Sequence, residues 1–425
     1  DAFWIDFVAH ELGHQFGANH TFDGEVSSCG DNRANSAAFE PGAGTTIMSY
    51  AGLCGEVNVT NQVHDNYHHH SLKEINERIT DIEDGFFTIA NCGTATSNTN
   101  SFPVVEAGDD YIIPANTYFR LTGSATDADG DALSYSWEQA DRRPTGAASR
   151  DEAETDSGTG PLFRAYSPRS TPERYFPSLN FTRTGNLSSG FTFTGETLPA
   201  TNRDLNFVLV ARDGQGGIGQ DDMQVTVLDT GAAFTLLSPQ ANDSFTANPI
   251  TVSWDVAQTN LAPISCSSVD VVLSTNSGIN FDRTLASGLP NTGSAQVNLP
   301  ASETQQRFNI MQVRCSDNVF YATHTGVFSS QIEGETLTVT GQSLLSTAEE
   351  TALTLNLSDF TTNLDATALT VLAGSNYTFT GNTITPKTDF TGTLNVNVQI
   401  SGNGEISPDF AAVVSVTNVN DAPVA

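Results

Sequence analysis

The chain has 425 residues, enough for three or four domains of ordinary size. Hydrophobic residues make up 38% and charged residues only 16%, and with 35 glycines this favours extended, turn-rich β domains over helical bundles. The net charge of −32 argues against nucleic-acid partners and membrane-surface binding, because it repels phosphates and anionic lipid, and no apolar run approaches the ~18–20 residues of a membrane span.

From Asp1 to about Asn91 the pattern is helical, the only region where it is. Phe3, Phe7, Leu12 and Phe16 recur near helical spacing and predict a helix over Ala2–Phe16. Ser71 with Glu74 three residues on has the form of a capping box, and Ile75 and Ile79 continue a second helix. A Gly- and Asn-rich loop region from Asp23 to Asn66 lies between them.

The first helix carries His10-Glu11-Leu12-Gly13-His14-Gln15-Phe16-Gly17-Ala18-Asn19-His20. The fixed positions of that pattern match by chance on the order of once in a few million starting points. His10 and His14 stand one helical turn apart, so both imidazoles reach one ion. Six further residues of straight helix would carry His20 about 9 Å along the axis and roughly 120° around it, out of reach. Gly17 can adopt a left-handed backbone, end the helix and let His20 swing back as third ligand. Three neutral nitrogens leave a fourth position for water, the open geometry of a catalytic zinc. Glu11 then projects toward that water as general base and returns the proton to the leaving amine.

These residues resemble the metzincin zinc metalloendopeptidases, whose motif HExxHxxGxxH is met at every fixed position. Thr45-Thr46-Ile47-Met48-Ser49-Tyr50 is similar to the Met-turn of that family, with Met48 as an apolar floor beneath the ligands. Tyr50 matches the Met-x-Tyr of the astacin and serralysin branches, which implies a tyrosine that binds zinc or hydrogen-bonds the oxyanion. HTFDG after His20 and TIMSYAG around Met48 look most like secreted bacterial reprolysin-like peptidases, although Thr21 departs from the Asp of adamalysin-type enzymes. The resemblance covers about the first 95 residues. It implies a substrate strand lying along a sheet edge N-terminal to the zinc helix, so these 425 residues alone are expected to cleave poorly.

Thr94 to Ser101 is a polar linker, after which the period changes to strands. Tyr118–Leu121, Leu133–Trp137, Phe207–Val210 and Met223–Val227 alternate in the β manner, as do Ile250–Trp254 and Val269–Leu273. A long insertion from Asp141 to Asn206, opened by Arg142 and Arg143, carries no pattern that places it. Asp127, Asp129 and Asp131, alternating around Gly130, suit Ca²⁺, and this segment resembles PKD and cadherin-like modules. Asn418-Val419-Asn420-Asp421-Ala422-Pro423 is similar to the linker of bacterial cadherin-like repeats. His64, the run His68–His70 and His324 read as structural rather than as a second metal site.

Of five cysteines, Cys266 and Cys315 are spaced to bridge facing strands of an Ig-like sandwich, and Cys29 and Cys54 are the preferred second pair. Cys92 is then free or paired outside the sequence. Disulfides imply an oxidising, exported setting. Both chain ends read as cut, with an export signal expected upstream.

The expected architecture is multidomain: a partial α+β metzincin catalytic domain (its C-terminal part, 1–95), a linker (96–102), and all-β sandwiches at 103–230, 231–331 and 332–425. The expected function is a secreted zinc-dependent endopeptidase acting on proteins through Glu11 and Tyr50, with His10, His14 and His20 on Zn²⁺. Its β modules would bind cell-surface or matrix polymers. The rival is a cell-surface adhesin, a calcium-binding array carrying a non-functional protease remnant.

Overall fold

In the computed structural model the described residues are 5–83, 99–184, 193–301, 306–332, 337–402 and 405–419. Cys92, the start of the linker and the chain from Asn420 onward lie outside them. The chain divides into two units, Asp1–Ile332 and Glu333–Ala425.

Helix α1 (Ile5–Gln15) ends two residues before Gly17, whose φ of +89° is the left-handed conformation expected there. Phe7, Leu12 and Phe16, three of the residues that predict this helix, are largely exposed, as are Ile5 and Val8, while Phe3 lies outside the described residues. Helix α2 (His69–Glu83) starts two residues before Ser71, which lies inside its first turn instead of capping it. The cap comes from elsewhere: the His68 ring accepts from His70 N at 3.3 Å, and the Glu138 carboxylate accepts from His69 N. A carboxylate at a helix N-terminus is favoured by the backbone dipoles, and no local pattern could announce one arriving from a distant strand.

Ten strands of the first unit cover the six predicted stretches, four of them unannounced by the sequence pattern. They are β1 (Tyr111–Pro114), β2 (Tyr118–Thr122), β3 (Ser134–Gln139), β4 (Glu173–Phe176), β5 (Arg203–Arg212) and β6 (Ile218–Leu228), then β7 (Ile250–Asp255), β8 (Ser268–Ser274), β9 (Gln306–Cys315) and β10 (Phe320–Thr323). One sheet has the order β1-β6-β5-β3, with β1 parallel to β6. Strands β2 and β4 leave it for an eight-stranded sheet in which β8 and β10 flank β9 and β10 pairs with β2. That last pairing sets Phe320 opposite Phe119 and Tyr321 opposite Tyr118. The stretches 103–230 and 231–331, read from sequence as separate sandwiches, therefore share a sheet. They also share a core, from Phe119, Trp137 and Phe207 to Trp254 and Val313. An unpaired edge on β2 would expose a row of backbone donors and acceptors, and β10 fills it.

The disulfides Cys29–Cys54 and Cys266–Cys315 are both formed, with Cα separations of 5.4 and 6.0 Å. In the second unit β11 (Leu345–Ala348), β12 (Ala368–Val371), β13 (Gly392–Gly402) and β14 (Phe410–Thr417) lie in the order β11-β14-β13-β12. Leu394, Val396, Val398 and Ile400 alternate into its core against Ala412, Val414 and Val416, the period-two pattern of a half-buried strand.

The chain between β3 and β5, which sequence left unplaced, folds back onto the loop region between α1 and α2. Phe193 is buried among Phe22, Ala43, Val57 and Val59, together with Ala147 and Ala153. Asp23 and Glu25 exchange backbone hydrogen bonds with Ala147 (Ala147 N to Asp23 O 3.0 Å, Glu25 N to Ala147 O 2.9 Å). Arg164 donates to the carbonyl of Val59, and Thr45 Oγ1 donates to that of Ala165.

Candidate metal centre

His10 and His14 leave α1 from one face, and the turn at Gly17 brings His20 back to them. The Nε2 atom of His20 lies 3.2 Å from that of His10 and 3.1 Å from that of His14. Each ring is held from its other side by a backbone carbonyl. His10 Nδ1 faces Ile47 O at 2.7 Å, His14 Nδ1 faces Ala18 O at 2.8 Å, and His20 Nδ1 faces Asn32 O at 2.5 Å. A carbonyl oxygen only accepts, so each Nδ1 carries the proton and each Nε2 presents a bare lone pair. Burial lowers the pKa of His10 and brings that of His20 down to about 4, which keeps both rings neutral near pH 7.

Met48 is fully buried beneath this group, packed with Ala18 and Ile47. Gly13, inside the helix, makes room for it: a Cβ there would stand 2.4 Å from Met48 Sδ. Sequence reasoning passed over Gly13, since a glycine between two ligands has no pattern of its own. It also passed over Glu40, a lone acid in a loop. The buried Glu40 carboxylate accepts from Thr21 Oγ1 at 2.5 Å, Thr45 N at 2.7 Å and Thr46 N at 3.1 Å. Burial alone would raise its pKa, but His68 and the hydrogen bonds of Thr21, Thr46 and Thr45 outweigh it and hold the carboxyl below its ordinary range. The hydroxyl of Thr21, the residue that departs from the adamalysin pattern, is thereby spent on holding the turn that carries Met48.

Tyr50 is half-buried, its ring centroid 4.6 Å from that of His20 and 5.8 Å from that of His10. Burial, and then the charge of Glu11, raise its pKa, so it keeps its proton and can donate. Glu11 is exposed to a cleft of about 500 Å³ lined also by Asp6, Phe7, His10, Tyr50 and Leu53.

The other predicted positions are placed as follows. His68 and His69 are buried at the start of α2, and His324 accepts from Met311 N at 3.2 Å. Asp127 and Asp131 come together with Asp213, their carboxylate oxygens within 4.8 Å of one another. Asp129 is not in that group; its Oδ2 accepts from Ser101 N at 2.6 Å. Asp213, far along the chain, was not legible as a partner.

No curated protein matches this chain. Among solved structures it is similar to the N-terminal Ig1-2 module of Drosophila Receptor Protein Tyrosine Phosphatase DLAR (10% identity over 55% of this chain and 100% of that one, TM-score 0.28). It is also similar to mouse Cadherin-23 EC22-24 (10% identity, 75% and 100% covered, TM-score 0.17). Scores that low carry no argument about this molecule. Residues 1–78, which hold the three histidines, Glu11, Met48 and Tyr50, match the model of the Metallo-peptidase family M12B Reprolysin-like.

Proposed function

We propose that this chain carries the metal-binding part of an exported, zinc-dependent endopeptidase of metzincin type acting on protein substrates. The observation that carries this reading is the convergence of three bare imidazole nitrogens at 3.1 and 3.2 Å. Lone pairs so placed repel one another unless a cation lies among them. A tetrahedral zinc shell with Zn–N near 2.0–2.1 Å sets its nitrogens about 3.4 Å apart, so the donor set fits that ion. When bound by His10, His14 and His20, zinc supplies Lewis acidity toward a substrate carbonyl.

The protein's own groups do the rest. Glu11, open to the cleft beside His10, takes a proton from the attacking water and returns it to the departing amine. Tyr50, kept protonated, donates to the oxygen on which charge develops. Met48 floors the site, and Gly17 gives the chain the turn that His20 needs. The two disulfides support an oxidising, extracellular location. The β regions act as spacers or as adhesive modules for cell-surface or matrix polymers, with 103–230 and 231–331 joined through their common sheet and 332–425 a further module.

Metal analysis tests the reading. The folded chain is expected to take up about one zinc, to lose it in His14→Ala and to keep it in Glu11→Gln. In Glu11→Gln, hydrolysis of a fluorogenic peptide falls by about 10²–10⁴-fold. Zinc uptake undiminished by His14→Ala overturns the assignment.

We propose calcium as a second ion, held by Asp127, Asp131 and Asp213. The support is their proximity together with Asp127 Oδ2, a buried oxygen without a hydrogen-bond partner. Millimolar Ca²⁺ is expected to raise the thermal midpoint of the parent chain and not that of Asp213→Asn. Equal shifts in both remove this site.

A further inference from the structure

Resting on the metal-centre reading above, we infer that Arg143, contributed by the connection between β3 and β4, is a positioning residue for the third metal ligand. Its guanidinium reaches 120 positions back along the chain, where Nε donates to Asp23 Oδ2 at 2.5 Å. Both partners are buried, Arg143 at 6% exposure and Asp23 at 0%. The other oxygen of Asp23 accepts from Gly42 N at 2.6 Å, so the carboxylate is fully engaged. The backbone of Arg143 is used as well: its N donates to Ala38 O at 3.0 Å, and its carbonyl accepts from Arg33 Nη2 at 2.5 Å. Arg33 also donates through Nε to Asp23 O at 3.1 Å. Next to it Arg142 Nη1 donates to Asn35 O at 2.6 Å, and Gly146 N donates to Glu25 Oε1 at 3.1 Å.

Apart from the bonds to Ala38 and Gly42, these contacts close on one short stretch, Asp23 to Asn35, and Asn32 lies within it. Asn32 supplies the carbonyl that fixes the tautomer and direction of the His20 ring. Within that stretch Asn32 also makes local bonds, Asn32 N to Cys29 O at 3.1 Å and Asn32 Nδ2 to Ser28 O at 2.9 Å. Those bonds tie Asn32 to Cys29, whose disulfide to Cys54 anchors one side of the loop and leaves the Arg33 side to be held separately. The bracket from Arg143 through Arg33 holds that second side, next to Asn32 in the chain. A carbonyl displaced by a fraction of an ångström turns the imidazole and misaims its lone pair, the means by which outer partners tune a metal site. The metal-binding body thus includes part of the β region downstream of it.

The test measures zinc affinity by chelator competition and the visible spectrum of the Co²⁺-loaded chain. Arg143→Ala is expected to weaken zinc binding by about 10–100-fold and to change the Co²⁺ band intensities. Arg143→Lys, which keeps a cation for Asp23, should recover part of the loss. Arg203→Ala breaks another buried ion pair, with Asp156 at 2.8 Å, and should leave zinc affinity unchanged whatever it does to stability. Should Arg143→Ala fail to fold, Arg33→Gln cuts the same bracket one step nearer Asn32 and is expected to weaken zinc binding in the same direction. Parent-like affinity and spectrum in a folded Arg143→Ala, or in Arg33→Gln, overturns the inference while leaving the zinc centre standing. A parent chain that takes up no zinc overturns both.

Discussion

At the scale of single residues, the contact between Gly13 and Met48 is a packing constraint inside a ligand-bearing helix. A methyl at Gly13 would meet Met48 Sδ at 2.4 Å. Gly13→Ala is therefore expected to destabilise the first unit by about 1–3 kcal/mol, the usual cost of overpacking, although alanine is the better helix former. Combining it with Met48→Ala should recover much of that loss, because the alanine methyl then enters space the thioether has left. Denaturant unfolding of the two single variants and the double variant gives the coupling; strict additivity would show that the two side chains do not compete.

The same scale shows what a chain read by eye can and cannot reveal. His10, Glu11, His14 and His20 were legible because metal chemistry imposes both residue type and spacing on one short segment. Asp213 and Arg143 were not, because each works through partners far along the chain, and Glu40 was not, because a lone loop acid shows no pattern even with Thr21, Thr45 and Thr46 as partners. Asn32 was invisible for a different reason: it acts through a backbone carbonyl, which every residue type possesses.

At the scale of elements, α2 begins in a buried environment that only neutral histidine tolerates. Burial brings His68 down to about 4 and His69 down to about 3, each from an ordinary value of 6.5. Their folded-state values lie below their unfolded ones, so folding favours the neutral rings. That stabilisation is fully present above pH 6.5 and is lost as pH falls through about 4. Over this window each ring is expected to cost the fold on the order of 3 kcal/mol. His69→Gln, which titrates nowhere in the range, should flatten the slope of unfolding free energy against pH. An unchanged slope would place the sensitivity elsewhere. Helix positions themselves were readable from apolar spacing, but the start of α2 was misread at Ser71, since its caps are the His68 ring and a carboxylate from β3.

At the scale of the molecule, strand alternation announced six strands of the first unit, whereas the pairing of β10 with β2 had no local sign. Register between distant edges depends on which faces are buried together, and that is settled only once both layers exist. Trp137 and Trp254 lie in one continuous core across this joint. Their fluorescence is accordingly expected to change in a single denaturant transition, read separately in Trp137→Phe and Trp254→Phe, each with Trp4 also replaced by Phe. Two midpoints would mean that the shared sheet does not couple them.

The joint also governs how the polypeptide can be divided. A truncation after Leu228 strips β10 from β2 and leaves an open row of amide and carbonyl groups beside the newly uncovered Phe119. Such a border recruits strands from other molecules, so a shortened product made to isolate the histidine cluster would self-associate, while one ending near Ile332 would stay dispersed.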